Sequence, residues 1–182
     1  TLHRLRVQGV EAHVPDEGAA VLLCTHVSFM DALILAAVVP RPVRFVMYYR
    51  IFNIPFMRWI FTTAKAIPIA SPKEDAALMQ RAFDTVDAAL ANGELVLIFP
   101  EGTRSKQGNV MGEFHPGSFR AAQKARCPIV PVCFIDSFKV LDQKGSKPVS
   151  VQMHYLKPIP YEEYRDLKTV DVAELVKSRI QE

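Results

Sequence analysis

Only three cysteines, Cys24, Cys127 and Cys133, occur in the 182 residues, and no two of them are spaced as Cys-x-x-Cys. An odd, scattered set excludes a disulfide framework and a cysteine zinc site, so free and mostly buried thiols in a reducing compartment are expected. No stretch of about 18 uncharged apolar residues occurs, and none reads as a membrane-spanning helix. No secretory signal is recognisable. An excess of one charge is also missing: 22 Lys and Arg against 19 Asp and Glu leave +3, which excludes a nucleic-acid binder coated in basic residues. Any basic site must be local. Internal repeats, low-complexity tracts and linkers are lacking. So is the Gly-x-Ser-x-Gly elbow that an esterase using Ser28 or Ser118 would need.

What the chain does have is apolar side chain, 49% of its residues, enough for one substantial core. A single domain over residues 1–182 is expected. It starts at Thr1 rather than methionine, a few residues before a strand-like segment, as a piece cut from a longer membrane-associated chain would. Strands are expected at 5–10, 20–25, 43–48, 66–69, 95–99, 129–134 and 149–155, with a polar turn near Gly145. The runs at 20–25 and 95–99 are apolar throughout, the pattern of strands covered on both faces. Helices are expected at 31–39, 117–126 and after Ser71-Pro72-Lys73-Glu74, where Ser caps, Pro fits the first turn and Glu lies three residues on. Met79, Phe83, Val86 and Leu90 then recur at helical spacing until Asn92-Gly93 ends the helix. Val172, Leu175, Val176, Arg179 and Ile180 form one face of a closing helix. Strands alternating with helices imply an α/β fold, a mostly parallel or mixed β-sheet flanked by helices.

Two segments carry chemistry. His26 and Asp31, in His-Val-Ser-Phe-Met-Asp, follow directly on an apolar strand. Five residues turn a regular helix by about 500°, so the two side chains would not share a helix face. They can meet if His26 sits in the strand-to-helix turn and Asp31 in the first helical turn. The carboxylate would then fix the imidazole tautomer and leave the other ring nitrogen as a general base. The plainer alternative is a capped turn followed by an ordinary first-turn acid. The second segment, Phe99-Pro100-Glu101-Gly102-Thr103-Arg104-Ser105, ends the most apolar strand. Open α/β sheets bind ligands beyond the carboxyl ends of their strands. There Gly102 admits a close backbone approach, Thr103 and Ser105 offer hydroxyls, and Arg104 can grip a phosphate with paired donors.

Together these segments resemble the glycerolipid acyltransferase family, whose signature is a His-x4-Asp block followed by Phe-Pro-Glu-Gly-Thr-Arg-Ser. A third block, a Val-Pro-Val-like strand, is matched at Ile129-Val130-Pro131-Val132, so the resemblance covers about 25–132. It implies an O-acyltransferase of phospholipid biosynthesis that moves a fatty acyl group from acyl-CoA or acyl carrier protein to the sn-2 hydroxyl of 1-acylglycerol-3-phosphate. Other lysophospholipid acceptors, or a decayed lipid-binding module, are the alternatives. The resemblance implies a catalytic His26 with Asp31, and acceptor binding through Glu101, Gly102, Thr103, Arg104 and Ser105. No cofactor and no metal are implied. The chain departs from the family in two places. Thr25 stands where Asn usually precedes the histidine, and the second block, 66–71, lacks its phosphate-binding Arg, which leaves Arg104 with Lys65 or Lys73 as substitutes.

Residues 43–69 concentrate large apolar side chains, among them Phe56, Trp59 and Phe61, with Arg44, Arg50 and Arg58 interspersed. This is the composition of a segment dipping into anionic head groups, and a core helix with snorkelling arginines is the alternative. The expected partners are therefore a lysophospholipid, an acyl thioester and a membrane surface, with no nucleic acid. The expected location is the cytoplasmic face of a membrane, peripheral or anchored through a segment outside this chain. Gly117 and the helix start after His115 could lend amides to a phosphate or a pantetheine arm, and backbone amides near His26 could hold the oxyanion.

Overall fold

The computed structural model of the protein describes residues 4–9, 13–142 and 150–182. The expected strand residues Val10 and Val149 and the turn near Gly145 lie outside them. Seven strands form one sheet in the order β1-β7-β6-β2-β5-β3-β4. They are β1 (Arg4–Gly9), β2 (Ala20–Cys24), β3 (Val43–Tyr48), β4 (Ile67–Ile69), β5 (Leu95–Ile98), β6 (Ile129–Ile135) and β7 (Ser150–Tyr155). All neighbours run parallel except β6 and β7. The sheet is thus mostly parallel, as the alternation of strands and helices requires.

The most apolar run lies innermost. Every residue of β2 is fully buried, because helices cover both of its faces. Its alternating side chains divide the core in two. Leu22 and Cys24 join Phe45, Leu97 and Phe134 under α1 (Met30–Val38) and α2 (Pro55–Thr63). Val21 and Leu23 join Val96 and Ile129 under α3 (Pro72–Ala91), α4 (Arg120–Ala125) and α7 (Thr169–Gln181). Two further α-helices among the described residues are single turns, α5 (Lys139–Asp142) and α6 (Tyr161–Tyr164). Neither is expected from the sequence, being too short for a periodic pattern.

The start of α3 differs from the expectation in one respect. Glu74 accepts from the Ser71 hydroxyl at 2.8 Å and its amide at 3.4 Å, but Asp75 then leaves helical geometry at φ −157°. Its side chain accepts the Leu78 amide at 2.8 Å, so a second cap restarts the helix one turn on. Val86 and Leu90 are buried and Met79 and Phe83 half-buried, as their spacing predicts. The helix expected at 117–126 is two pieces, a 3-10 turn at Pro116–Phe119 and then α4. Because β2, β3, β4, β5 and β6 all point the same way, the segments after each of them share one edge of the sheet.

Candidate active site

His26 lies in the turn between β2 and α1, and Asp31 lies in the first turn of α1. The sequence placed them so, and the two side chains do meet, with His26 Nδ1 3.1 Å from Asp31 Oδ2. Asp31 is fully buried. A buried carboxylate is costly unless its lone pairs are satisfied. Here the same Oδ2 also accepts the amides of Val27 and Ser28 at 2.8 and 2.7 Å, and Oδ1 accepts the Ser137 hydroxyl at 2.6 Å. With Nδ1 committed to Asp31, the ring's other nitrogen, Nε2, makes no hydrogen bond among the described residues. The ring stacks on Phe99, centroids 4.2 Å apart. Its backbone is clamped as well, since the His26 amide donates to Glu101 Oε1 at 2.8 Å and its carbonyl accepts the Ser105 amide at 2.8 Å.

The loop after β5 builds the neighbouring cleft, about 380 Å³, whose walls include Thr103, Arg104, Lys106 and His115. Glu101 is buried, and its second oxygen accepts the Gly112 amide at 2.7 Å. It therefore braces the loop against the His26 turn while still lining the cleft. Gly102 has φ +66°, and a Cβ there would approach the His115 ring to 3.0 Å. Glycine is required on both counts. Ser105 spends its hydroxyl within the loop, donating to the Val110 carbonyl and accepting the Gln107 amide. Arg104 is half-buried, its guanidinium carbon 3.6 Å from the centre of the exposed Phe29 ring. This cation–π contact parks the charge beside the His26 turn.

Lys65 and Lys73 are not brought to this cleft. Lys65, at φ +52°, leads into the amino end of β4, away from the ligand edge. Lys73 lies exposed in the first turn of α3, at the right edge but beyond β3. Thr25 does not reach the imidazole. Its hydroxyl accepts the Phe134 amide at 3.0 Å and ties β2 to β6. Of the amides at the His26 turn, those of His26, Val27 and Ser28 are taken by carboxylates, and that of Phe29 makes no hydrogen bond among the described residues. The Ser118 amide is likewise spent on the His115 carbonyl.

Neither possible nucleophile beside His26 is poised. Ser28 is buried and accepts the Met30 amide. Burial, followed by the negative charge of Asp31, pushes the Cys24 thiol well above its ordinary range. Ser137 has no counterpart in the sequence reasoning. Its only signal is its place, directly after β6 at the edge that also holds His26.

Residues 43–69 divide into interior and surface. Phe61 is buried, packing edge-on to Phe45 at 6.5 Å, so it belongs to the core and not to a docking face. Ile54, Phe56 and Trp59 are 53%, 63% and 68% exposed. Arg44 pairs with Glu94, and Arg50 pairs with Glu74. Arg58 is exposed and has no ion-pair partner among the described residues. Among the described residues, no helix is long and apolar enough to cross a membrane.

An acid-oriented histidine thus lies beside a cleft of mixed charge, lined by Arg104, Lys106 and His115 with Glu101 and Glu113, at the carboxyl edge of a mostly parallel sheet. The family model described as Acyltransferase matches residues 4–135, and the chain belongs to that family. It is 28% identical over 141 residues to the chloroplastic 1-acyl-sn-glycerol-3-phosphate acyltransferase of Arabidopsis thaliana, covering 76% of this chain and 38% of that one. The 1-acyl-sn-glycerol-3-phosphate acyltransferase of Pseudomonas aeruginosa is 33% identical over 129 residues, covering 71% of this chain and 48% of the other. The chain thus spans less than half the length of these relatives. The crystal structure of the 1-acyl-sn-glycerophosphate acyltransferase PlsC from Thermotoga maritima superposes with a TM-score of 0.79 at 23% identity, covering 98% of this chain and 70% of that one. The fold is the same.

Proposed function

We propose that the domain transfers a fatty acyl group from an acyl thioester to the free sn-2 hydroxyl of 1-acylglycerol-3-phosphate, giving phosphatidate. The observation that carries this reading is the contact of His26 Nδ1 with the buried Asp31, at 3.1 Å, which leaves Nε2 as the reactive nitrogen. Nε2 takes the acceptor's hydroxyl proton as that oxygen bonds to the thioester carbonyl carbon. The tetrahedral intermediate collapses, the C–S bond breaks, and the imidazolium returns its proton to the departing thiolate. No acyl-enzyme is needed, consistent with Ser28 and Cys24 being occupied or suppressed. No cofactor or metal enters the sequence of steps.

The oxyanion falls to the amides of Phe29, Thr103 and Arg104, which make no hydrogen bond among the described residues. The acceptor phosphate falls to the Arg104 guanidinium, with Lys106 and His115 on the same cleft. The donor is acyl-CoA or acyl carrier protein. The exposed Ile54, Phe56 and Trp59 beside the unpaired Arg58 support docking of the 43–69 segment, through α2, on an anionic membrane surface. Such a position suits the cytoplasmic face of a membrane.

The test is an assay on anionic vesicles with a panel of lysophospholipids and both donor types, read by lipid mass. Phosphatidate formed from the phosphate-headed acceptor supports the reading. Transfer only to another head group would move the acceptor assignment. Binding of lysolipid without transfer to any acceptor would make the domain a lipid-binding module.

A further inference from the structure

The loop that builds the cleft is fastened at its far side to the turn after β6. Asn109 and Asp136 exchange two hydrogen bonds, Asn109 Nδ2 to Asp136 Oδ1 at 3.0 Å and the Asp136 amide to Asn109 Oδ1 at 2.8 Å. Next to this pair, Gly108 lies so close to the Phe138 ring that a Cβ would sit 3.2 Å from it. Asp136 holds a left-handed φ of +66°, a conformation that costs a non-glycine residue and persists only where its surroundings impose it. Lys139 closes the turn from the other side, its Nζ 2.6 Å from Asp136 Oδ2. The residue this strained turn presents is Ser137, fully buried, with its hydroxyl 2.6 Å from Asp31 Oδ1.

We infer that Ser137 is a positioning residue for the His26–Asp31 pair, and that the Asn109–Asp136 exchange latches the phosphate-binding loop to it. The inference rests on the acyl-transfer reading. Asp31 has two oxygens. One meets His26 and the Val27 and Ser28 amides, all from its own turn. Among the described residues the other meets only Ser137, 106 positions away in the chain. Without that bond the carboxylate keeps its local partners but loses the contact that fixes its rotation from outside. A rotated carboxylate aims the imidazole wrongly, and misplacement of about 1 Å costs on the order of 100-fold in rate. Because the latch joins the cleft loop to the same turn, a change in the loop is carried to Ser137.

The experiment uses Ser137→Ala, Ser137→Thr, Asn109→Ala and the double variant Asn109→Ala with Ser137→Ala, with His26→Ala as reference. All are followed by thermal melting and by steady-state kinetics on anionic vesicles. Ser137→Ala is expected to lower kcat roughly 10-fold, the worth of about one hydrogen bond to a charged group, with both Michaelis constants within about twofold. Ser137→Thr keeps the hydroxyl and should recover most of the rate. Asn109→Ala should raise the acceptor's Michaelis constant and lower kcat together. The double variant should fall short of the product of the single effects by about threefold or more.

A folded Ser137→Ala enzyme with wild-type kcat overturns the positioning role. A rate loss that Ser137→Thr fails to recover, with wild-type melting, also overturns it. Fully multiplicative effects overturn the latch. If the unsubstituted protein transfers no acyl group to any acceptor, the acyl-transfer reading itself fails, and wild-type turnover by His26→Ala removes the His26 base, outcomes distinct from all three.

Discussion

The turn that carries His26 and the segment 43–69, which supplies β3, α2 and β4, are built on opposite principles. Around His26 nearly every polar group is spent: Asp31 collects four donors and Glu101 two. Around α2, large apolar side chains stand in solvent, with Trp59 68% exposed. A surface of that kind is unfavourable in water unless something covers it. The first region is fixed before any substrate arrives, and the second is left incomplete. That division fits the proposed reaction, in which a rigid acid–base pair acts on a membrane-borne substrate.

The comparison breaks most visibly at Asp31. Asp31→Asn preserves volume but disturbs the tautomer of His26, and kcat should fall about 10³-fold, within the range for a disabled acid–base pair. Steady-state assays beside thermal melting check this, and a small rate loss would mean the pair is structural. The division inside 43–69 comes next. Phe61→Ser should cost about 3 to 5 kcal/mol of stability, as for other large buried aromatics. Phe56→Ser and Trp59→Ser should leave the melting midpoint nearly unchanged. Denaturant titration of the three variants decides, and equal losses would abolish the distinction between interior and surface.

Arg104→Ala should lower kcat/KM for the phosphate-bearing acceptor about 10- to 150-fold, through the acceptor's Michaelis constant. Arg104→Lys should lose less, since Lys offers a point charge in place of paired donors. An equal drop in maximal rate for all acceptors would show that Arg104 is not the phosphate anchor. On the apolar side, Phe56→Ser or Trp59→Ser should each weaken binding to anionic vesicles by about 10-fold, from roughly 1.5 kcal/mol or more of lost burial. Sedimentation with vesicles measures it, and unchanged binding would remove the membrane role of α2.

The smallest effect concerns the thiols. Alkylation needs thiolate, and burial pushes Cys127 up to about 11 and Cys24 well above its ordinary range. Iodoacetamide at pH 8 should therefore label both far more slowly in the native protein than after denaturation, with activity retained. Rapid native labelling of Cys24 with loss of activity would reopen a covalent route.

How much of this could be read from the sequence varies with the range of the interaction. His26 and Asp31 were legible because both lie within one strand-to-helix turn, and the apolar run before them fixes where that turn occurs. The place of residues 99–105 at the end of an apolar strand was legible for the same reason, whereas the internal bonds of Glu101 and Ser105 were not. Ser137 was not, because its bond to Asp31 joins segments 106 positions apart, and no local pattern encodes such a meeting. The division of 43–69 was legible only in part. Met57, Ile60, Phe61 and Ala64 recur at helical spacing while Arg58, Thr62 and Thr63 fall off that face, but which apolar residues are core is decided by partners such as Phe45, packed against Phe61. Thr25 likewise finds its partner, the Phe134 amide, on a distant strand.

The central claim is that His26 performs the proton transfer by which the acceptor hydroxyl takes the acyl group directly. The measurement that tests it is the turnover of purified His26→Ala, shown folded by its melting curve, with 1-acylglycerol-3-phosphate and an acyl thioester on anionic vesicles. The account predicts a kcat about 10² to 10⁴ below that of the unsubstituted protein, with both substrates still bound. Wild-type turnover by the folded variant would contradict it.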